Sequence, residues 1–348
     1  MNPLRAVRIS ILLLSAGVAA ALTGCDAVWL AWHKGSWISP LYREHPLVGR
    51  IWKPSEERFV TAGELYGALR DADFALAGEK HNNADHHRYQ ALLIRETMAQ
   101  GRQPAIVFEM VTESRQATLD AFLAEHPRHA AGLGKAVGWE ESGWPRWRMY
   151  RPIAQVALGV GAPLIAGGLD RETTRGIAKQ GVDALGTERA NRLRLDEPVA
   201  ETMRAAIREE IHESHCGQLP EQMLDPMVAV TLAKDAAMAE AMIRGRALQG
   251  RDAAILIAGG GHARTDWGVP WHLRRLAPGA RIVSVGLLEV AGDETDPRAY
   301  AAGYEGGFPF DFVWFSPRVD DNDPCEVFAD QLRRMREKKQ TEAESEAD

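Results

Sequence analysis

Short apolar runs, too brief for helices, recur along the middle of the chain: Asp73 to Ala77, Ala105 to Phe108, Pro163 to Ala166, Ala254 to Ala258 and Arg281 to Leu287. Four to seven residues, apolar on both faces, is the pattern of a parallel strand covered on both sides. Between the runs the apolar spacing changes to three and four, as in Ala91, Ile94 and Met98, which puts those residues on one helical face. The alternation predicts an α/β fold with a mostly parallel central sheet flanked by helices. Two intervals, about 120–161 and 171–250, exceed a simple crossover and hold no plausible strand. Unstructured loops of that length are rare inside a domain. Both are therefore read as helical insertions that form a lid at the carboxyl ends of the strands.

The two ends break the pattern. Arg5 and Arg8 precede an apolar run from Ile9 to Leu22, followed by Leu22-Thr23-Gly24-Cys25. That run is shorter than the roughly 20 apolar residues of a spanning helix and has the order of a signal peptide. The small residues before Cys25 match a bacterial lipobox, which predicts removal of residues 1–24 and a lipid anchor on that cysteine. The mature protein is then expected on a cell-envelope membrane facing the periplasm, with Asp26 leaning towards the inner membrane. Residues 25–37, with Trp29, Trp32 and Trp37, read as a tether, residues 38–318 as the α/β domain, and residues 319–348 as a charged tail. Loss of the first 24 residues takes the formal charge from −7 to −9, leaving no basic surface for nucleic acid. Beyond Cys25 only Cys216 and Cys325 remain, enough for one bridge but not for a disulfide framework.

Candidate chemistry sits where the apolar runs stop. The first leads into Gly78-Glu79-Lys80-His81-Asn82-Asn83 and on to His86-His87, the second into Glu109, the third into Gly167-Gly168 with Asp170, and the fourth into Gly259-Gly260-Gly261-His262. Ligands of open parallel sheets bind beyond the carboxyl ends of the strands. Glu79, His81, Glu109 and His262 are thus expected on one rim, either as ligands of a divalent transition metal or as a metal-free acid and base. Gly78-x-x-His81 and Gly259-x-x-His262 form a weak internal echo. Neither a phosphate loop, a dinucleotide fingerprint nor a Gly-x-Ser-x-Gly elbow is present. His212 and His215, followed by Cys216, read as a packed helix end. Trp139, Trp144, Trp147 and Tyr150 make the densest aromatic cluster, a lid core or a flat wall for a planar ligand.

Taken in order, Gly78-Glu79-x-His81-Asn82 with His86-His87, Glu109-Met110, Trp144-Pro145 leading to Tyr150-x-Pro152, His215-Cys216-Gly217, Asp235-x-x-Met238-Ala239, and Gly261-His262 through Gly268-Val269-Pro270 resemble the ChaN-like lipoproteins of the haem-binding uptake and Tiki superfamily. The resemblance runs from about Ile38 to Ser316. It implies a membrane-anchored haem-binding protein of iron uptake, dimeric, with tyrosine on the haem iron and histidine nearby. Tyr150 is the first choice of ligand, with His86, His87 and Trp147 as its haem-site companions. The Tiki-type metallopeptidases of the same superfamily imply an alternative, a metal-dependent hydrolase acting through Glu79, His81, Glu109 and His262. One departure is Gly167-Gly168-Leu169-Asp170-Arg171, where the family has a run nearer Ala-Asn-x-Pro-Arg.

Overall fold

In the computed structural model, the chain is described for residues 37–330, 332–334 and 337. It divides into two units, Met1–Trp37 and Ile38–Asp348, and every element below belongs to the second. The expected signal peptide, Cys25 and most of the tether lie outside the described residues, as does the tip of the tail. No helix of the described residues is long and apolar enough to cross a membrane.

Eight strands form one sheet among the described residues: Ile51–Lys53 (β1), Arg58–Val60 (β2), Phe74–Glu79 (β3), Pro104–Thr112 (β4), Leu164–Gly168 (β5), Ala253–Gly259 (β6), Ile282–Glu289 (β7) and Phe312–Ser316 (β8). Their spatial order is β2-β1-β8-β7-β3-β6-β4-β5. The six from β8 to β5 run parallel, and the β1–β2 hairpin joins β8 antiparallel. All five expected strands are present as β3 to β7. Their carboxyl ends extend further than the apolar runs, so that Glu79 and Glu109 belong to strands rather than to the turns after them. The hairpin strands β1 and β2 have three residues each, too few to carry a readable period.

Strand alternation divides the apolar residues between two helical layers. Phe74, Leu76, Ala105, Val107, Ala254 and Leu256 face Met238, Ala241 and Met242 of the long helix Leu224–Arg246, with Val269 and Leu273 beside them. The opposite layer holds the helices Ala84–Ala99 and Trp147–Gly159, packed on one another. Leu224–Arg246 is apolar almost all round because it is enclosed on several sides. The sheet covers one side of it, while Leu169 and Ile177 pack on Val230, Ala233 and Ala237, and Ile207, Ile211 and Trp267 pack on Val228 and Leu232. Each buried Val, Leu, Ile, Phe or Met side chain among these contributes about 1.5–3 kcal/mol by leaving water. The two long intervals are helical as expected, with helices over Gln116–Glu125, Ala130–Ala136 and Trp147–Gly159 in the first and over Arg171–Gln180, Thr187–Arg192, Glu201–Ser214 and Leu224–Arg246 in the second.

Cys216 and Cys325 are bridged, clipping the helix that starts at residue 324 to the end of Glu201–Ser214. His215 belongs to that junction: its Nδ1 bonds the Ile211 carbonyl at 2.7 Å and its ring meets Phe328 edge-on.

Candidate functional site

β3 and β6 lie side by side at the centre of the sheet, with Gly78 opposite Ala258 and Glu79 opposite Gly259. From β3 the chain passes over β6 to reach β4, and from β6 it passes over β3 to reach β7. The two connections leave in opposite directions and open a crevice at the switch point. The paired Gly-x-x-His segments end these two neighbouring strands, offset by one residue from their sequence alignment. Gly78 is required where it stands. A Cβ there would lie 2.6 Å from the Ala263 Cβ and 3.0 Å from the Gly260 Cα, so the short helix Gly260–Ala263 that carries His262 approaches only a glycine.

Around Glu79 the rim is closed by hydrogen bonds. Its Oε1 accepts from the Tyr150 hydroxyl at 2.9 Å and meets His81 Nδ1 at 2.9 Å, while its Oε2 meets His87 Nε2 at 2.5 Å. Burial by itself would raise the carboxyl pKa. The charge of His87 and the bonds from His81 and His87 overcome burial and bring it down to about 2. Burial likewise opposes a charge on His81, but its bond to Glu79 and the charges of Glu109 and Glu79 outweigh this and raise its pKa. Asn83 caps the following helix, accepting from the Asp85 and His86 amides at 2.9 and 3.2 Å.

A second cluster forms around His262. Its Nδ1 meets Asp235 Oδ1 at 2.5 Å and its Nε2 lies 3.2 Å from Glu109 Oε1, while Glu109 Oε2 accepts from the Gly259 amide at 2.8 Å. Burial disfavours the imidazolium, yet the two carboxylates push its pKa up to about 10. Glu109 is held below its usual range by His262 against its own burial, whereas burial leaves Asp235 raised. Asp235 was given no role by sequence reasoning. Its sequence signal was its place in Asp235-x-x-Met238-Ala239, an acid in the middle of an apolar helical stretch, and the structure buries it fully in the helix Leu224–Arg246.

The structure thus brings Glu79, His81, Glu109 and His262 to one rim, but it does not converge them on one point. Each acid is committed to a histidine, and among the described residues no group of three or more His, Cys, Asp or Glu is arranged to hold a metal ion. The four expected residues therefore stand on the rim as two acid–histidine clusters, Glu79 with His81 and Glu109 with His262. Tyr150, His86, His87 and Trp147, the residues expected at the haem site, are all buried. Tyr150 is 0% exposed, and burial together with the charge of Glu79 raises its pKa well above the ordinary phenol value. His86 has Nδ1 on the Lys80 amide and Nε2 on the Ser316 hydroxyl. His87 is enclosed, its ring tilted against that of Tyr150 at 3.9 Å between centroids, and Trp147 donates to the Ala130 carbonyl. They support the rim from behind and present no ligand atom to solvent. Trp139 joins Trp147 and Tyr150 in the lid core.

Beside the rim lies a cavity of 620 Å³ at the carboxyl ends of β4 and β5, within the about 300–1,000 Å³ typical of small-molecule sites. Glu109, Trp139 and Trp144 line it, together with Arg115, Arg171, Arg175 and Lys234. None of these four cations makes an ion pair among the described residues. Gly168 to Arg171, the stretch that departs from the family pattern, forms part of the wall. There the β4–β5 pairing slips between Phe108 and Thr112, and a Cβ on Gly168 would lie 2.3 Å from the Glu109 carbonyl oxygen. Such an irregularity re-aims side chains beside a site.

A family model described as haem-binding uptake, Tiki superfamily, ChaN, matches residues 65–273. The chain belongs to this family. Among solved structures, "Cofacial heme binding to ChaN of Campylobacter jejuni" is similar at 19% identity and a TM-score of 0.58, covering 79% of this chain and 98% of that one. This ChaN-family member therefore shares the fold of that protein. A second structure, that of the type III effector HopBA1, is similar at 13% identity and a TM-score of 0.41, covering 73% of this chain and 92% of that one. No curated protein sequence matches.

Proposed function

We propose that this ChaN-family protein binds haem in the crevice beyond β3, β6, β4 and β5, as a lipid-anchored homodimer of the cell envelope serving iron uptake. The observation that carries the reading is the family match across residues 65–273. The site fits the group. The side chain of His81 is 36% exposed, its Nδ1 is held by Glu79, and its Nε2 has no hydrogen-bond partner among the described residues. A carboxylate behind one ring nitrogen sets the tautomer and raises the basicity of the other, as metal-bound imidazoles require. Its ring stands edge-on to Trp144 at 4.8 Å, and Trp144 lines the 620 Å³ cavity. Arg115, Arg171 and Arg175 supply partners for the two carboxylates of a haem. Within that site His81 would hold the iron and the arginines would orient the ring.

The hydrolase reading draws less from the geometry. A general base works best with a pKa near the operating pH, whereas His262 is pushed up to about 10 and Glu79 down to about 2.

Haemin titrated into the full chain in detergent tests the proposal. A saturable Soret shift with a doubled column mass is the expected result, and His81→Ala should weaken binding at least about tenfold. Absence of a saturable shift in the unmutated protein would reject haem as the ligand. Unchanged binding by the variant would remove only His81 from the site.

A further inference from the structure

We propose that His126 and His129 form a separate, solvent-facing site that ligates a transition metal, independent of the crevice. Both histidines stand at the junction of two helices. The His126 amide bonds the Phe122 carbonyl at 2.8 Å, closing the helix Gln116–Glu125. The His129 amide bonds the His126 carbonyl at 3.1 Å, and the helix Ala130–Ala136 starts at the next residue. Pro127 lies between them with its φ locked by the ring. The backbone that carries the two imidazoles is therefore held at both ends and in the turn.

The two rings lie 5.9 Å apart, centre to centre, at 68°, and Phe122 packs 5.1 Å from the first and 6.1 Å from the second. Metal–nitrogen bonds of about 2.1 Å, added to the ring radii, put both within reach of one ion. His81, His86, His87, His215 and His262 each commit a ring nitrogen to a protein partner. His126 and His129 are exposed, and their ring nitrogens have no hydrogen bond or ion pair among the described residues. They border an open depression of 510 Å³ with Pro127, Arg128, Ala130 and Gln155. No carboxylate lines it, so the donors are imidazoles, the ligands that suit copper, nickel, zinc and iron rather than calcium or magnesium. Arg128 in the same wall favours an anionic group on the metal's remaining positions. The shared chemistry is imidazole donation to a transition metal, either a hydrated ion or the iron of a porphyrin bearing carboxylates.

Tag-free full chain in detergent is titrated separately with Ni²⁺ and with haemin, alongside His126→Ala, His129→Ala, the double variant and a His126→Gln/His129→Gln control. Each single change should weaken the affected probe at least about tenfold, and both double variants should abolish its binding here. Loss of a Ni²⁺ equivalent identifies a free ion. Loss of one haemin equivalent that His81→Ala leaves in place identifies porphyrin iron. Melting temperatures should stay put, since both side chains are exposed. Variants that bind both probes as the unmutated chain does, or an unmutated chain that binds no more of either than His81 accounts for, would overturn the site. Neither result bears on haem in the crevice, which the His81 variant reads.

Discussion

Glu79 shows how a buried charge is kept at the rim. Three donors surround it, and two of them come from the turn and helix that follow its own strand. Tyr150, the third, arrives from a helix 71 residues further along the chain. Because a hydrogen bond to a buried charged group is worth about 1.5–3 kcal/mol, Tyr150→Phe should lower unfolding stability by that amount while leaving haemin affinity unchanged. Denaturant midpoints and a haemin titration of the same variant check both halves. Loss of haem with stability intact would return the tyrosine to the ligand role. Glu79, His81, Glu109 and His262 were readable, since each follows the end of an apolar run within a few residues. The inward turn of Tyr150 was not, because the facing of an amphipathic helix depends on what packs against it, here Trp139 and His87.

At the level of elements, the neighbouring strand ends depend on a close approach that only glycine permits. Gly78→Ala would drive a methyl into Ala263 and the Gly260 backbone. Overpacking of this kind costs about 1–3 kcal/mol and should displace the helix bearing His262. A drop in melting temperature is expected together with a weakened haemin complex, and an alanine accommodated without either change would contradict the packing described. The five strands β3 to β7 were legible because burial on both faces leaves an uninterrupted apolar run. β8 is as apolar as they are but follows the last expected strand, and its place between β1 and β7 depends on pairing that no local pattern reports.

For the whole molecule, burial of histidines predicts how stability responds to pH. Burial lowers the pKa of His86 to about 3, and burial with the nearby Arg275 does the same for His272. Both bind protons more readily unfolded, so their neutral burial is tolerated above about pH 6.5 and stability falls as pH drops from there towards 3. His262 acts in the opposite sense. Its pKa is raised to about 10, so its contribution is complete below about pH 6.5 and is lost as pH rises through 10. Melting temperature should therefore peak near about pH 6.5. His272→Leu should flatten the acid limb without loss at neutral pH, since neither ring nitrogen of His272 has a partner among the described residues. An acid limb unchanged in that variant would locate the sensitivity elsewhere.

From the sequence alone came the α/β class, the helical insertions, the family and the gathering of acids and histidines at strand ends. Each depends on order along the chain: strand period, run length and the residue that follows a run. Tertiary structure alone decided that Glu79 and Glu109 are each bonded to histidines, that Asp235 stands behind His262, that Tyr150 is enclosed, and that Cys216 reaches Cys325. Those outcomes depend on distances between residues far apart in the chain. Burial and charge pairing act through space, so they become definite only once the sheet order and the packing of the insertions are set.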